Sequence, residues 1–346
     1  MHRICGTLAQ NGFNVLLIGR KLKTSQPLAQ KIFTEKRIAC FFNNGFGFYA
    51  EYNFRLFWFL IFTKANIFCA IDLDTILPVL FASAIKRKKR VYDAHELFTE
   101  QKEIVTRKSV HTFWLAIEKF AVPKFYFGYT VNDFIANEFN KRYKVDYVVI
   151  RNLPLLTVLP EQKSETKFII YQGAVNEGRS FETLLPAMKN VNAKLVICGS
   201  GNFFDKAKRI VKDNKLEDKI EFRGMLSPAA LQELTPKAYI GIMIFENKGL
   251  NQYQSLSNRF FDYIMACVPQ LCVNYPEYKK INDKYRIAYI IDDVKEQTIA
   301  NALNELLTDE KLYNRLRENC IAARKKLNWQ NEEQKLLSFY NNTFGR

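Results

Sequence analysis

Along the chain, short runs of apolar residues alternate with longer segments in which apolar residues recur every three or four positions. The runs are NVLLIG (14–19), RIACFF (37–42), NIFCAI (66–71), RVYD (90–93), YFGYTV (126–131) and DYVVI (146–150). Helix-like stretches such as 75–86 and 133–143 separate them. Nearly continuous apolar strands between helices are the pattern of a parallel sheet covered on both faces. The segment RNLPLLTVLPEQKSETK (151–167) breaks the rhythm with two prolines and a polar run, and reads as a linker. The alternation then restarts with KFIIYQG (167–173), KLVICGSG (194–201), KIEFRG (219–224), YIGIMIF (239–245) and PQLCV (269–273).

This reading gives an α/β chain of two Rossmann-like, doubly wound domains facing a cleft. The first domain spans 1–152, the linker 153–166 and the second domain 167–327. A closing helix over 328–346 starts from an Asn328 cap and carries apolar residues at Trp329, Leu336, Leu337 and Tyr340. A length of 346 residues suits two cores rather than one.

Composition narrows the class. Seven dispersed cysteines without a paired metal spacing read as reduced thiols of a cytosolic protein. A net charge of +16 favours an anionic partner. No nucleic-acid-binding motif accompanies it, so the reading has no nucleic-acid partner. The run KRKKR (86–90) is read as a solvated helix end whose cations offset a C-terminal dipole. The apolar stretch 54–71 is broken by Arg55, Lys64 and Asn66, too soon to span a bilayer. The aromatic-rich region 46–62, which overlaps it, is read as a buried helix, with peripheral contact to an anionic inner membrane as its functional alternative.

Four places carry candidate chemistry. In VYDAHELFTE (91–100), a strand delivers Asp93, His95 and Glu96 at its C-terminal end, where open parallel sheets bind ligands. In YQGAVNEGRSFETLL (171–185), a glycine turn leads into a helix beginning near Arg179, which is either a phosphate cradle or an ordinary strand-to-helix turn. CGSGNFF (198–204) is a second glycine turn. In QSLSNRFFDYIMACVP (254–269), Arg259 and Asp262 share a helix face, either as a nucleotide-holding pair or as a surface ion pair.

Taken in order, AIDLDT, VYDAHELFTE, VIRNLP, YQGAVNEGRSFETL, EFRGML, SNRFFDYIMACVP and LNWQNEEQKLLSFY resemble the family 4 glycosyltransferases of GT-B type, with a particular resemblance to a bacterial subgroup that builds surface polysaccharides. The resemblance implies a retaining transfer of sugar from a nucleoside-diphosphate sugar to a glycan or lipid-linked acceptor, with no metal or other cofactor. It implies that the donor is held by Gly173, Arg179, Gly199, Gly201, Glu246, Arg259 and Asp262. His95 matches the first-domain histidine that faces the donor sugar, and the closing helix is expected to return to the first domain. The implied setting is cytoplasmic, peripheral at the inner face of the membrane.

The chain departs from that pattern at several places. Ala174 stands where an arginine is common, and Gln254 where a first glutamate falls, with Glu246 as its substitute. Cys267 replaces a glycine, and Asp262 a longer glutamate. MHRICGTLAQNGF (1–13) resembles a helix that a strand ordinarily precedes. The expectation is an N-terminally shortened chain, or a first domain with an open central slot. These departures support a second reading, a catalytically impaired homologue acting as a nucleotide- or glycan-binding scaffold.

Overall fold

The computed structural model describes residues 1–159 and 166–345. The expected linker at 153–166 therefore lies partly outside the described residues. The chain divides into two compact units, Met1–Arg151 with Glu332–Arg346, and Asn152–Asn331.

Unit 1 opens with helix α1 (His2–Gln10), which buries Ile4, Cys5 and Leu8 on one face. Strands β1 (Leu16–Lys21) and β2 (Thr34–Ala39) form a parallel pair of their own. Helix α2 (Gly45–Phe62) follows, then β3 (Ile67–Ile71), helix α3 (Ile76–Ile85), β4 (Lys89–Ala94), β5 (Phe127–Thr130) and β6 (Asp146–Val149). The last four strands make a second parallel sheet in the order β3-β4-β5-β6. Alternation along β3 sends Phe68 and Ala70 into the core under α2 and α3. On its other face Cys69 meets the Tyr129 hydroxyl, and Tyr129 packs on Phe339 and Tyr340 of the closing helix Trp329–Phe344. Asn328 caps that helix, its Oδ1 accepting from the Asn331 N–H at 3.0 Å. From Glu332 onward the helix belongs to unit 1, where Glu333 accepts from the Thr7 hydroxyl of α1 at 2.6 Å.

The two sheets share no ladder, because no strand lies between β1 and β3 among the described residues. The expected central slot is thus present.

One expectation is corrected. Helix α2 buries Tyr52, Leu56 and Leu60, but Phe54, Trp58 and Phe62, two positions on and so about 200° around the helix, are exposed at 64%, 46% and 80%. The helix is apolar on both faces and buried on one. The run at 86–90 begins at the end of α3, with Lys89 and Arg90 already in β4, and Lys86 also serves the end of α2: its Nζ donates to the carbonyls of Ile61 and Thr63 at 2.6 and 2.7 Å.

Unit 2 holds a single six-stranded parallel sheet of β7 (Phe168–Gln172), β8 (Lys194–Cys198), β9 (Ile220–Gly224), β10 (Ile240–Met243), β11 (Gln270–Val273) and β12 (Ala288–Ile291). The order β9-β8-β7-β10-β11-β12 is that of a dinucleotide-binding fold, in which β7 and β10 mark the point where the winding reverses. The sequence reading missed β12, a short run at the sheet edge. Ligands of such sheets bind outside the carboxyl ends of the strands at that reversal, which directs attention to Gln172 and Met243.

Candidate functional site

Strand β7 ends in Tyr171 and Gln172 and runs into a turn at Gly173, whose φ of +126° is open to glycine alone without strain. The Gly173 N–H donates to Cys198 O at 2.9 Å, which ties this turn to the end of β8. The neighbouring turn presses close, since a Cβ on Gly199 would lie 1.8 Å from the Gly173 carbonyl oxygen. Gly201 is crowded too, with Asn176 Oδ1 at 2.1 Å from where a Cβ would stand. Asn176 and Asn202 clasp the turns reciprocally: Asn202 N donates to Asn176 Oδ1 at 3.1 Å and Glu177 N to Asn202 Oδ1 at 3.0 Å. Small residues here let two backbone turns meet and leave Gly173 and Ala174 exposed at the carboxyl edge of the sheet.

Arg259 comes to this turn from the helix Asn258–Met265. It is 7% exposed, its guanidinium sits 4.2 Å above the Tyr171 ring, and Nη1 donates to Gln172 O at 2.9 Å. Gly173 lies against it, as a Cβ there would be 3.5 Å from Nη1. Among the described residues Arg259 pairs with no carboxylate. A buried cation held by neutral partners is costly unless a negative charge joins it.

The surface ion-pair alternative for Arg259 and Asp262 does not hold. Asp262 Oδ2 accepts instead from Gln172 Nε2 at 3.4 Å, and Gln172 Oε1 accepts from Thr235 at 2.7 Å. Gln172 thus binds both residues, one through its backbone and one through its side chain. Tyr171 and Gln172 are contributors that sequence reasoning passed over, although both stand beside Gly173 in the motif.

Arg179 lies in the turn itself, since its helix begins only at Phe181; its guanidinium is 5.7 Å from the Phe245 ring centre at the end of β10. Glu246 N donates to Gly178 O at 3.0 Å, Gln252 Nε2 donates to the same oxygen at 3.2 Å, and Lys248 pairs with the Glu246 carboxylate. The turns after β7, β8 and β10 therefore bring Gly173, Arg179, Gly199, Gly201, Glu246 and Arg259 to one edge of unit 2. Cys267, where the resemblance implies a glycine, keeps a left-handed φ of +57°.

His95 belongs to unit 1 and sits just past β4, beside the end of β3. Its N–H donates to Asp72 Oδ1 at 2.8 Å, and its Nε2 lies 3.2 Å from Asp93 Oδ1, a charge contact rather than an aligned hydrogen bond. Burial opposes the charged ring, but Asp93 and Asp72 outweigh it and push the histidine up to about 9. Burial pushes Asp72 up to about 7, and Asp74 up to about 6. Asp72 holds a strained φ of +55° to reach this position. The cluster can hold a proton near neutrality at the carboxyl ends of two adjacent strands.

Residues 160–323 match the family model of glycosyl transferases group 1. No curated protein matches the sequence significantly. Among solved structures, sucrose-phosphate synthase from Thermosynechococcus elongatus superposes with a TM-score of 0.74 at 15% identity, over 99% of this chain and 92% of that one. HepE from Anabaena, solved in complex with UDP-glucose, gives 0.73 at 10% identity over 90% and 86%. WaaG, a glycosyltransferase involved in lipopolysaccharide biosynthesis, gives 0.69 at 15% over 96% and 93%. The chain thus has the GT-B fold of two Rossmann-like domains, and residues 160–323 are similar to the glycosyl transferases group 1 family.

Proposed function

We propose that the protein is a retaining glycosyltransferase that moves a sugar from a nucleoside-diphosphate sugar to a glycan or lipid-linked acceptor in surface polysaccharide synthesis. The observation that carries this reading is Arg259, a buried cation without a carboxylate partner among the described residues, aimed at the Gly173 turn at the reversal point of a dinucleotide-type sheet. A diphosphate supplies the missing negative charge, and the small Gly173 and Ala174 let it approach the backbone.

In this reading the bond from the sugar's anomeric carbon to the diphosphate breaks as a bond to the acceptor oxygen forms. The acceptor proton passes to the departing phosphate. Arg259, with Arg179 of the turn after β7, stabilises the charge that grows on the leaving diphosphate, and no metal is required. Asp262 holds ribose hydroxyls, with Glu246 in the role of the first glutamate. His95 orients the donor sugar, its charge maintained by Asp93 and Asp72.

The acceptor side is assigned to unit 1, at the cytoplasmic face of an anionic membrane. The exposed stripe Phe54, Trp58 and Phe62 ends beside the exposed cations Lys64, Arg87 and Lys88, a combination suited to a lipid headgroup boundary. No helix among the described residues is long and apolar enough to cross a membrane.

The reading is tested by supplying nucleotide sugars and following release of the diphosphate and the anomeric configuration of the product by NMR. Turnover with retention, lost in His95→Ala at unchanged nucleotide affinity, is the expected result. Tight nucleotide binding with no turnover on any donor would favour the scaffold reading, to which Ala174 and Gln254 point.

A further inference from the structure

A cavity of unit 1, about 1050 Å³, runs between the outer edges of β1 and β3. Leu16 and Ile18 line it from one strand, Ile67 and Cys69 from the other, and α1 and α2 close its two faces through residues such as Ile4 and Leu56.

The backbone orientation of both edges follows from their paired sides. Val15 O accepts from Thr34 N, so Val15 faces β2 and, by alternation, Leu16, Ile18 and Arg20 turn their N–H and C=O groups into the slot. On β3, Asn66 O accepts from Lys89 N and Asp72 N donates to Asp93 O, so Ile67, Cys69 and Ile71 face the slot. Of these, Ile71 is satisfied on the spot by the Thr75 hydroxyl, at 3.1 and 2.7 Å. Two rows of strand-spaced donors and acceptors thus face a largely apolar space.

We propose that this slot is a binding site for one extended polypeptide strand of five or six residues, apolar on both faces, which pairs with β1 and β3 together and joins the two sheets. Strand spacing, layer spacing and strand length give such a segment a volume of roughly 800–1,000 Å³, comparable with the cavity. An acyl chain would fill the apolar space and leave both backbone rows unpaired. A sugar would set hydroxyls against the apolar faces of α1 and α2. A peptide backbone alone supplies donors and acceptors to two edges at the strand period. The cavity's charged lining consists of Lys36, Lys64, Arg87, Lys88 and Lys89 with no carboxylate, so the strand carries an acidic residue at one end. The inference is independent of sugar transfer, because it concerns unit 1 and is read without nucleotide or activity.

The test uses the full chain with a soluble synthetic peptide, two glutamates followed by alternating valine and isoleucine, and a control of the same composition with a central proline. Amide exchange is read by NMR or mass spectrometry. The slot-facing amides of Leu16, Ile18, Ile67 and Cys69 are expected to slow about tenfold or more with the peptide, while the proline control has no effect. Leu16→Pro removes one slot-facing donor at the first residue of an edge strand, a place that tolerates proline, and is expected to weaken the peptide about fivefold. Fusing the same strand ahead of Met1 through a flexible linker raises its effective concentration and is expected to give the same protection. Unchanged exchange at these amides in both formats would overturn the proposal, as would equal protection by the proline control or by a detergent chain.

Discussion

Arg259 and His95 show how differently two charged residues can be held. The arginine is held by neutral groups, namely the Tyr171 ring, the Gln172 carbonyl and the Met243 sulfur, and among the described residues no carboxylate answers its charge. The histidine is surrounded by carboxylates, which make it a titrating part of the fold. Its folded value of about 9 lies above the ordinary 6.5, so the stability it contributes is complete below about pH 6.5 and is lost as pH rises through about 9. Asp72, raised to about 7, is ionised over most of that window. Thermal unfolding of wild type and His95→Gln is therefore expected to differ most near pH 6.5, on the order of 2–4 °C, with the gap closing toward pH 9. A gap that does not change with pH would contradict the assigned ion cluster. His95 was legible as a candidate because it stood at a strand end and Arg259 because it stood in a helix motif, whereas the role of Gln172 was not. A glutamine inside an apolar run signals nothing until its two hydrogen-bonded partners, far apart in sequence, are brought together.

At the scale of elements, the strands were legible because parallel, doubly covered strands are written as continuous apolar runs. The first two of unit 1 were misplaced by two or three residues, β2 running over Thr34–Ala39 rather than 37–42. With one edge open, β2 carries the polar residues Glu35, Lys36 and Arg37, and the apolar signal weakens. Helix α2 was misread for a related reason. Composition shows that it is apolar all round but not which faces are covered, and only tertiary contacts separate Leu56 from Trp58. The two faces predict opposite behaviour. Leu56→Ala is expected to cost about 2–5 kcal/mol of stability in chemical denaturation. Trp58→Ser is expected to stay within about 0.5 kcal/mol and to reduce sedimentation with phosphatidylglycerol vesicles but not with phosphatidylcholine vesicles. Equal vesicle binding by wild type and Trp58→Ser would remove the α2 stripe from the membrane reading.

For the whole molecule, sequence alternation interrupted once was enough to indicate two doubly wound units. Their strand orders were not legible, since order is set by long-range pairing that no local run encodes. Unit 2 completes a six-stranded sheet and gathers the donor-side candidates at its reversal point, while unit 1 divides its strands into two sheets around a slot. The account's central claim therefore rests on unit 2 and can be tested there whatever fills unit 1. Calorimetric titration of the full chain with UDP, GDP, ADP and CMP, repeated on Arg259→Ala, is the most direct measurement. The account predicts saturable binding of one of these nucleotides, weakened at least about tenfold in the variant, as expected when a charge-assisted contact is removed. A well-folded protein that binds none of the four, or binds one equally well without the Arg259 guanidinium, would contradict it.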